Sequence, residues 1–131
     1  VKRAYVDPSA VVAVQFGERE RPRVLAVLRA HEELVSTSFF VAEMLAALQR
    51  AALPLNAADR LLARFARFIP PDDLRAECEQ ALAVGPLRGA DLWHVAAALR
   101  VAGRHRKRLT FCTLDKSQRS VAAALGFPVA P

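Results

Sequence analysis

The chain has 131 residues, 53% of them hydrophobic and 24% charged, with a formal net charge of +6. That length fits one domain, residues 1–131, whose interior is large enough to need neither disulfides nor structural zinc. The composition excludes a disordered chain, and no apolar run approaches the ~20 residues that span a bilayer.

In chain order, residues 3–6 read as a first strand, and a helix follows from Pro8 or Ser9. Residues 22–31 are helical, with Val24, Leu25 and Leu28 on one face. A second strand near 33–37 leads into a helix carrying Glu43. Asn56 then caps a helix with Leu61, Leu62, Phe65 and Phe68 on its apolar side. Arg60, Arg64 and Arg67 share its other face at i, i+4, i+7 spacing. A short strand is expected around Phe68-Ile69, and Pro70-Pro71-Asp72-Asp73 reads as a helix start. Gly85-Pro86 and Gly89 break the chain before a helix that contains Asp91 and ends at Gly103. Residues 108–114 form the next strand, 116–125 a helix ended by Gly126, and 127–129 a last strand. Strands alternating with helices indicate a mainly parallel sheet with helices packed on it.

Lys2 and Arg3 precede an apolar segment that Asp7 interrupts, so the N-terminal residues do not read as a signal peptide. Cys78 and Cys112 have neither CxxC spacing nor metal-type His partners. They read as buried free thiols in a reducing, cytoplasmic setting.

Four of the thirteen carboxylates sit inside or against apolar runs. Asp7 follows Ala4-Tyr5-Val6, Glu43 lies within Phe39-Phe40-Val41-Ala42-Glu43-Met44-Leu45-Ala46-Ala47-Leu48, Asp91 opens Leu92-Trp93-His94-Val95, and Asp115 closes Phe111-Cys112-Thr113-Leu114. A buried carboxylate needs a partner, or its pKa rises until it neutralises. Three of the four have a capping explanation. Asp7-Pro8 resembles an N-cap followed by Pro at N1, Asp115 with Gln118 a capping box, and Asp91 a first-turn acid favoured by the helix dipole. Glu43 is mid-helix, with no Lys or Arg at i±3 or i±4. Capping does not exclude function, because ligands of open parallel sheets bind where strands end and helices begin. Carboxylates that converge there suit Mg²⁺ or Mn²⁺, with Ser9 and Thr113 placed to orient them.

His94, beside Trp93, reads as a packed core residue rather than a ligand. With the four acids set aside, nine acids face nineteen Lys and Arg, leaving +10 on the rest of the chain. The run Arg104-His105-Arg106-Lys107-Arg108 and the Arg60/Arg64/Arg67 stripe are candidate phosphate tracks.

Tyr5-Val6-Asp7-Pro8-Ser9-Ala10, the segment Ser38 to Leu48, Gly89-Ala90-Asp91-Leu92-Trp93-His94-Val95-Ala96-Ala97-Ala98-Leu99 and Thr113-Leu114-Asp115 resemble the four motifs of the PIN-domain family. The likeness is closest to the toxin subunits of VapBC-type toxin–antitoxin pairs and covers essentially the whole chain. Pro8 departs from the pattern, which has Ser or Thr there. The resemblance implies a three-layer α/β/α sandwich and a Mg²⁺- or Mn²⁺-dependent endoribonuclease. Asp7, Glu43, Asp91 and Asp115 would hold the metal, supported by Ser9 and Thr113. It also implies a cognate VapB-type antitoxin across the site and a homodimer.

Two other enzyme classes fail on their residues. An Asp-nucleophile phosphatase needs a second acid at position 9, where this chain has Ser9. A nucleotide-binding fold needs a GxxxxGK[ST] or GxGxxG loop, and neither occurs. The competing reading from another class is a non-catalytic RNA-binding or antitoxin-docking domain.

Overall fold

The computed structural model describes all residues, Val1–Pro131. Five strands form one sheet: β1 (Arg3–Val6), β2 (Glu33–Thr37), β3 (Phe65–Phe68), β4 (Leu109–Cys112) and β5 (Val129–Ala130). The order is β3-β2-β1-β4-β5, and every neighbouring pair is parallel. The helices are α1 (Pro8–Gln15), α2 (Arg21–Ala30), α3 (Phe39–Arg50), α4 (Asp59–Leu62), α5 (Arg75–Val84), α6 (Gly89–Ala102) and α7 (Lys116–Ala124).

Side-chain alternation along the strands sorts the core into two layers. Tyr5, Val35, Leu109 and Phe111 face α5, α6 and α7, whereas Ala4, Val6, Leu34 and Cys112 face α1, α2 and α3. The expected α/β/α sandwich is therefore the observed architecture. On α6, Ala96, Ala97 and Ala98 are all fully buried. These small side chains leave that helix almost no solvent face in its middle turns. Gly103 ends it at φ +55°, a left-handed value that a residue without Cβ adopts at little cost.

Two expectations fail between residues 56 and 75. The helix there is one turn, Asp59–Leu62, with Ala58 rather than Asn56 at its N-cap. Phe65 and Phe68 belong instead to β3, paired with Leu34 and Thr37 of β2. Three residues apart on a strand, they face opposite layers: Phe65 joins the cluster under α3, and Phe68 packs on the α6 side. The i, i+3 spacing that suggested one helical face fits two sides of a strand equally well. Arg60, Arg64 and Arg67 therefore share no helix face. Arg67 lies on the sheet edge, where an exposed cation discourages further strand pairing. The second failure is the helix start at Pro70-Pro71-Asp72-Asp73. Asp72 Oδ1 accepts a bond from Leu74 N at 2.8 Å, and Leu74 turns to φ 55° and is fully buried. The helix begins only after that turn, at Arg75.

Candidate active site

The order of strand addition reverses between β1 and β4, though the two strands are parallel. From β1 the connections run outward through β2 to β3, while β4 and β5 lie on the other side. The crevice at the carboxyl ends of β1 and β4 is where such sheets bind ligands. Asp7 is the first residue beyond β1, and its backbone N–H donates to Cys112 O at 2.9 Å, keeping the two strand ends together.

Asp7 caps α1. At φ −71°, ψ 146° its backbone is extended, as a residue before proline prefers, and Oδ2 accepts from Ser9 N at 3.0 Å. Ser9 Oγ in turn accepts from Leu114 N at 3.2 Å and lies 3.5 Å from Thr113 Oγ1. The start of α1 is thereby tied to the loop after β4. Thr113 Oγ1 accepts from Asp115 N at 3.1 Å and donates to Gln118 Oε1 at 2.6 Å. Asp115 caps α7, with Oδ2 accepting from Gln118 N at 2.8 Å.

The capping box expected from Asp115 and Gln118 is half present, because the Gln118 side chain is used elsewhere. Its amide donates to Asp7 Oδ1 at 2.9 Å and to the Asp91 carbonyl at 3.2 Å. Fully buried, Gln118 ties together β1, α6 and the β4–α7 loop. As a plain polar residue in the first turn of α7, it gave no sequence signal of this role.

Asp91 is the third residue of α6 and lies between the other acids. It lines a cavity of about 410 Å³ with Asp7, Ser9, Glu43 and Arg50. It also lines one of about 480 Å³ with Asp115, Arg88 and Ser117. Burial raises its pKa, and the charges of Asp115, Asp7 and Glu43 raise it further, with His94 opposing them. The charges of the other three acids thus reach Asp91. No three acidic, imidazole or thiol side chains close to metal-holding geometry, so the arrangement is open rather than a cage.

Glu43 projects from α3 and its Oε1 is 2.9 Å from Nε2 of His94. His94 is buried, as its apolar surroundings suggested, yet it is directly bonded to this acid. Its Nδ1 lies 2.7 Å from the Tyr5 hydroxyl. A consistent proton assignment has Tyr5 donating to Nδ1 and Nε2–H donating to Glu43. Burial and the Asp7 charge push the Tyr5 pKa up, which keeps the phenol a donor. The Ser36 and Thr37 hydroxyls sit near enough to offset part of that rise, without reaching hydrogen-bond geometry. Cys112, below the crevice, has its thiol pushed up to about 12 by burial first and Asp7 second, so it stays unreactive.

Cations at the crevice are not those of the expected tracks. Arg50 is seven residues after Glu43, two helical turns along the same face, and Arg88 is the N-cap residue of α6. The spacing of Arg50 was readable in the sequence. The run 104–108 precedes β4, at the amino ends of the strands and across the sheet from the acids. One member is engaged there: Arg106 donates to Leu125 O and Gln80 Oε1. It cannot hold a phosphate that the crevice also holds.

No curated protein sequence matches this one. Among solved structures, VapC20 of Mycobacterium tuberculosis, described as a sarcin–ricin loop cleaving toxin, superposes with a TM-score of 0.67. It is 19% identical, with 98% of this chain and 99% of that chain covered, a likeness that speaks for the fold. The PIN domain family matches residues 4–124, which take in the carboxyl ends of β1 to β4. The chain belongs to the PIN-domain family.

Proposed function

We propose that this PIN-domain protein is a divalent-metal-dependent endoribonuclease of the VapC toxin type, hydrolysing RNA phosphodiester bonds. The observation that carries the reading is the position of Asp91, in one crevice with Asp7 and Glu43 and in the adjoining one with Asp115. The structural relative that cleaves the sarcin–ricin loop supports RNA as the substrate class.

The donor set fits Mg²⁺ or Mn²⁺. Hard cations take carboxylate oxygens, and Mg²⁺ commonly uses only one or two of them while keeping several waters, so an open arrangement suffices. Burial first, and then the neighbouring negative charges, raise the Asp91 pKa, and a cation would offset both. Asp7, Glu43, Asp91 and Asp115 would hold it. The chemistry such a cation would supply there is polarisation of the scissile phosphate and a lowered pKa for bound water.

The chain's own residues supply the rest. Gln118 and Ser9 fix the Asp7 carboxylate, leaving it little freedom to turn away. Thr113 holds Gln118 and the Asp115 backbone in place. His94 orients Glu43, and a carboxylate in the crevice takes the proton of the attacking water. Arg50 and Arg88 flank the acids and attract the polyanion. A VapB-type antitoxin would silence the enzyme by covering this crevice, and the active form would be a homodimer in the cytoplasm.

The direct test is cleavage of a mixed tRNA and rRNA pool with Mg²⁺, Mn²⁺ or EDTA. Metal-dependent cutting by wild type, lost in Asp7→Ala and Glu43→Ala, is the expected result. Cutting that persists in EDTA, or in both variants, would sink the proposal.

A further inference from the structure

The basic run 104–108 has no part in the chemistry above, yet the fold adds further cations to it. Parallel pairing of β1 with β4 sets Arg3 against Leu109, which brings Lys2 and Arg3 beside Lys107 and Arg108. Two segments far apart in the chain thus place like charges side by side, which is unfavourable by itself. A hollow of about 390 Å³ opens between Lys2, Arg3, Lys107 and Arg108. A second, of about 430 Å³, lies between Arg104, Arg106, Lys107 and Arg108. Lys107 and Arg108 line both, so the two hollows form one basic track. Glu33 pairs with Arg3 at 2.7 Å, and a Glu32 carboxylate oxygen lies 3.5 Å from the Lys2 backbone nitrogen. Arg106 donates to neutral oxygens, so its charge stays uncompensated. Lys2, Arg104, Lys107 and Arg108 are exposed and form no ion pair. Six cations therefore face two acids.

A single small anion would satisfy one hollow and leave the other charged. A protein partner would need an apolar centre, and the walls of the track offer only Val1 and Leu125. A phosphodiester backbone meets both hollows at once, because its charges repeat along the track and Arg and Lys bind each phosphate. We infer that this amino-end face is a second RNA-binding surface, which holds the substrate backbone away from the cleaved bond. The inference deepens the ribonuclease reading and rests on it for the choice of polyanion. β4 has four residues, about 13 Å at ~3.3 Å each, so a single nucleotide does not reach from this face to the acids. The surface therefore acts on longer RNA, raising its affinity without reading its bases.

The probe is a fluorescein-labelled single-stranded RNA of about 20 nucleotides, titrated in EDTA and followed by anisotropy. The track variant is Lys2→Gln/Arg104→Gln/Lys107→Gln/Arg108→Gln. The control, Arg19→Gln/Arg23→Gln/Arg60→Gln/Arg67→Gln, removes the same charge from exposed positions elsewhere. Circular dichroism verifies that both fold. Four phosphate contacts contribute about 3 to the slope of log affinity against log salt, or roughly 50-fold between 50 and 200 mM. The track variant should lose that much of the slope and bind at least about tenfold more weakly than wild type or control. In Mg²⁺ its half-saturating RNA concentration for cleavage should rise to a similar degree, with the rate at saturation unchanged. Binding equal to wild type, or equal losses in the track and control variants, overturns the inference. So does polyglutamate of the same length competing as well as unlabelled RNA, which would assign the face to an acidic protein. Binding lost in the track variant, with no RNA cut by wild type in Mg²⁺ or Mn²⁺, would keep the surface and remove the nuclease reading. Cleavage by wild type, with binding and half-saturation unchanged in the track variant, would do the reverse.

Discussion

Replacing Gln118 with Met keeps the volume and shape of a fully buried side chain and removes only its polar atoms. Three side-chain bonds disappear: to Thr113 Oγ1 at 2.6 Å, Asp7 Oδ1 at 2.9 Å and the Asp91 carbonyl at 3.2 Å. The backbone bond from Gln118 N to Asp115 survives, so the α7 cap is not part of the loss. A buried group left without its partner costs about 1–3 kcal/mol. Asp7 keeps the Ser9 bond, and the Thr113 hydroxyl can turn towards Ser9 Oγ, but only across 3.5 Å. Partial compensation at those two sites brings the total to about 2–4 kcal/mol. For a domain of this size that is a fall of roughly 8–16 °C in Tm. Urea unfolding followed by Trp93 fluorescence and by circular dichroism checks the free energy, with an unchanged m-value as the control. Gln118→Glu should lose more at pH 7, because a second carboxylate then faces Asp7, and recover part of the loss in acid. A Gln118→Met protein within about 0.5 kcal/mol of wild type would refute the clamp, since ordinary surface substitutions do no more than that.

Three further outcomes follow from the same geometry. Because Asp91 has a raised pKa in the fold, its contribution to stability is present in acid and lost as pH rises through that value. Asp91→Asn should therefore raise Tm at pH 7 without metal, with the gain vanishing below the ordinary carboxylate range; equal Tm values across pH contradict it. Arg100 bonds Glu77 and Asp72, whose pKa values it holds below the ordinary range, joining α5 to α6. That support is present at neutral pH and lost as pH falls through the depressed values, so Arg100→Leu should melt a few degrees lower at pH 7 and converge with wild type in strong acid. Tyr5→Phe removes the donor to His94 Nδ1 and should cost about 1–2 kcal/mol in urea unfolding, while lowering RNA cleavage by releasing Glu43. Unaltered cleavage at unaltered stability would detach Tyr5 from the site.

Much of this was legible in the sequence for definite reasons. Strand and helix alternated with periodicities of their own, and Asp7-Pro8 and Asp115 carried their cap chemistry in adjacent residues. What the sequence hid was set by tertiary contact. Phe65 and Phe68 keep a spacing that serves either a helix or a strand, and only pairing with β2 decides it. Leu74 takes a left-handed conformation because Asp72 caps its N–H and the core accepts its side chain. Glu43 had no cation within a helical turn. Its partner, His94, comes from α6, fifty-one residues away. The buried contacts of Gln118 reach 111 residues back to Asp7, a separation that no local pattern encodes. The basic run 104–108 reads as a phosphate track by composition, and only the fold shows that it lies at the amino ends of the strands, away from the acids.

The central claim is that Asp7, Glu43, Asp91 and Asp115 act as one cation site. Mn²⁺ titration monitored by electron paramagnetic resonance tests it without any substrate, because the signal of free Mn²⁺ is lost on binding. Wild type should remove Mn²⁺ saturably, with competition by Mg²⁺, and Asp91→Asn and Asp7→Asn should each remove far less. A free Mn²⁺ signal that persists with wild type, or equal uptake by wild type and both variants, would contradict the account.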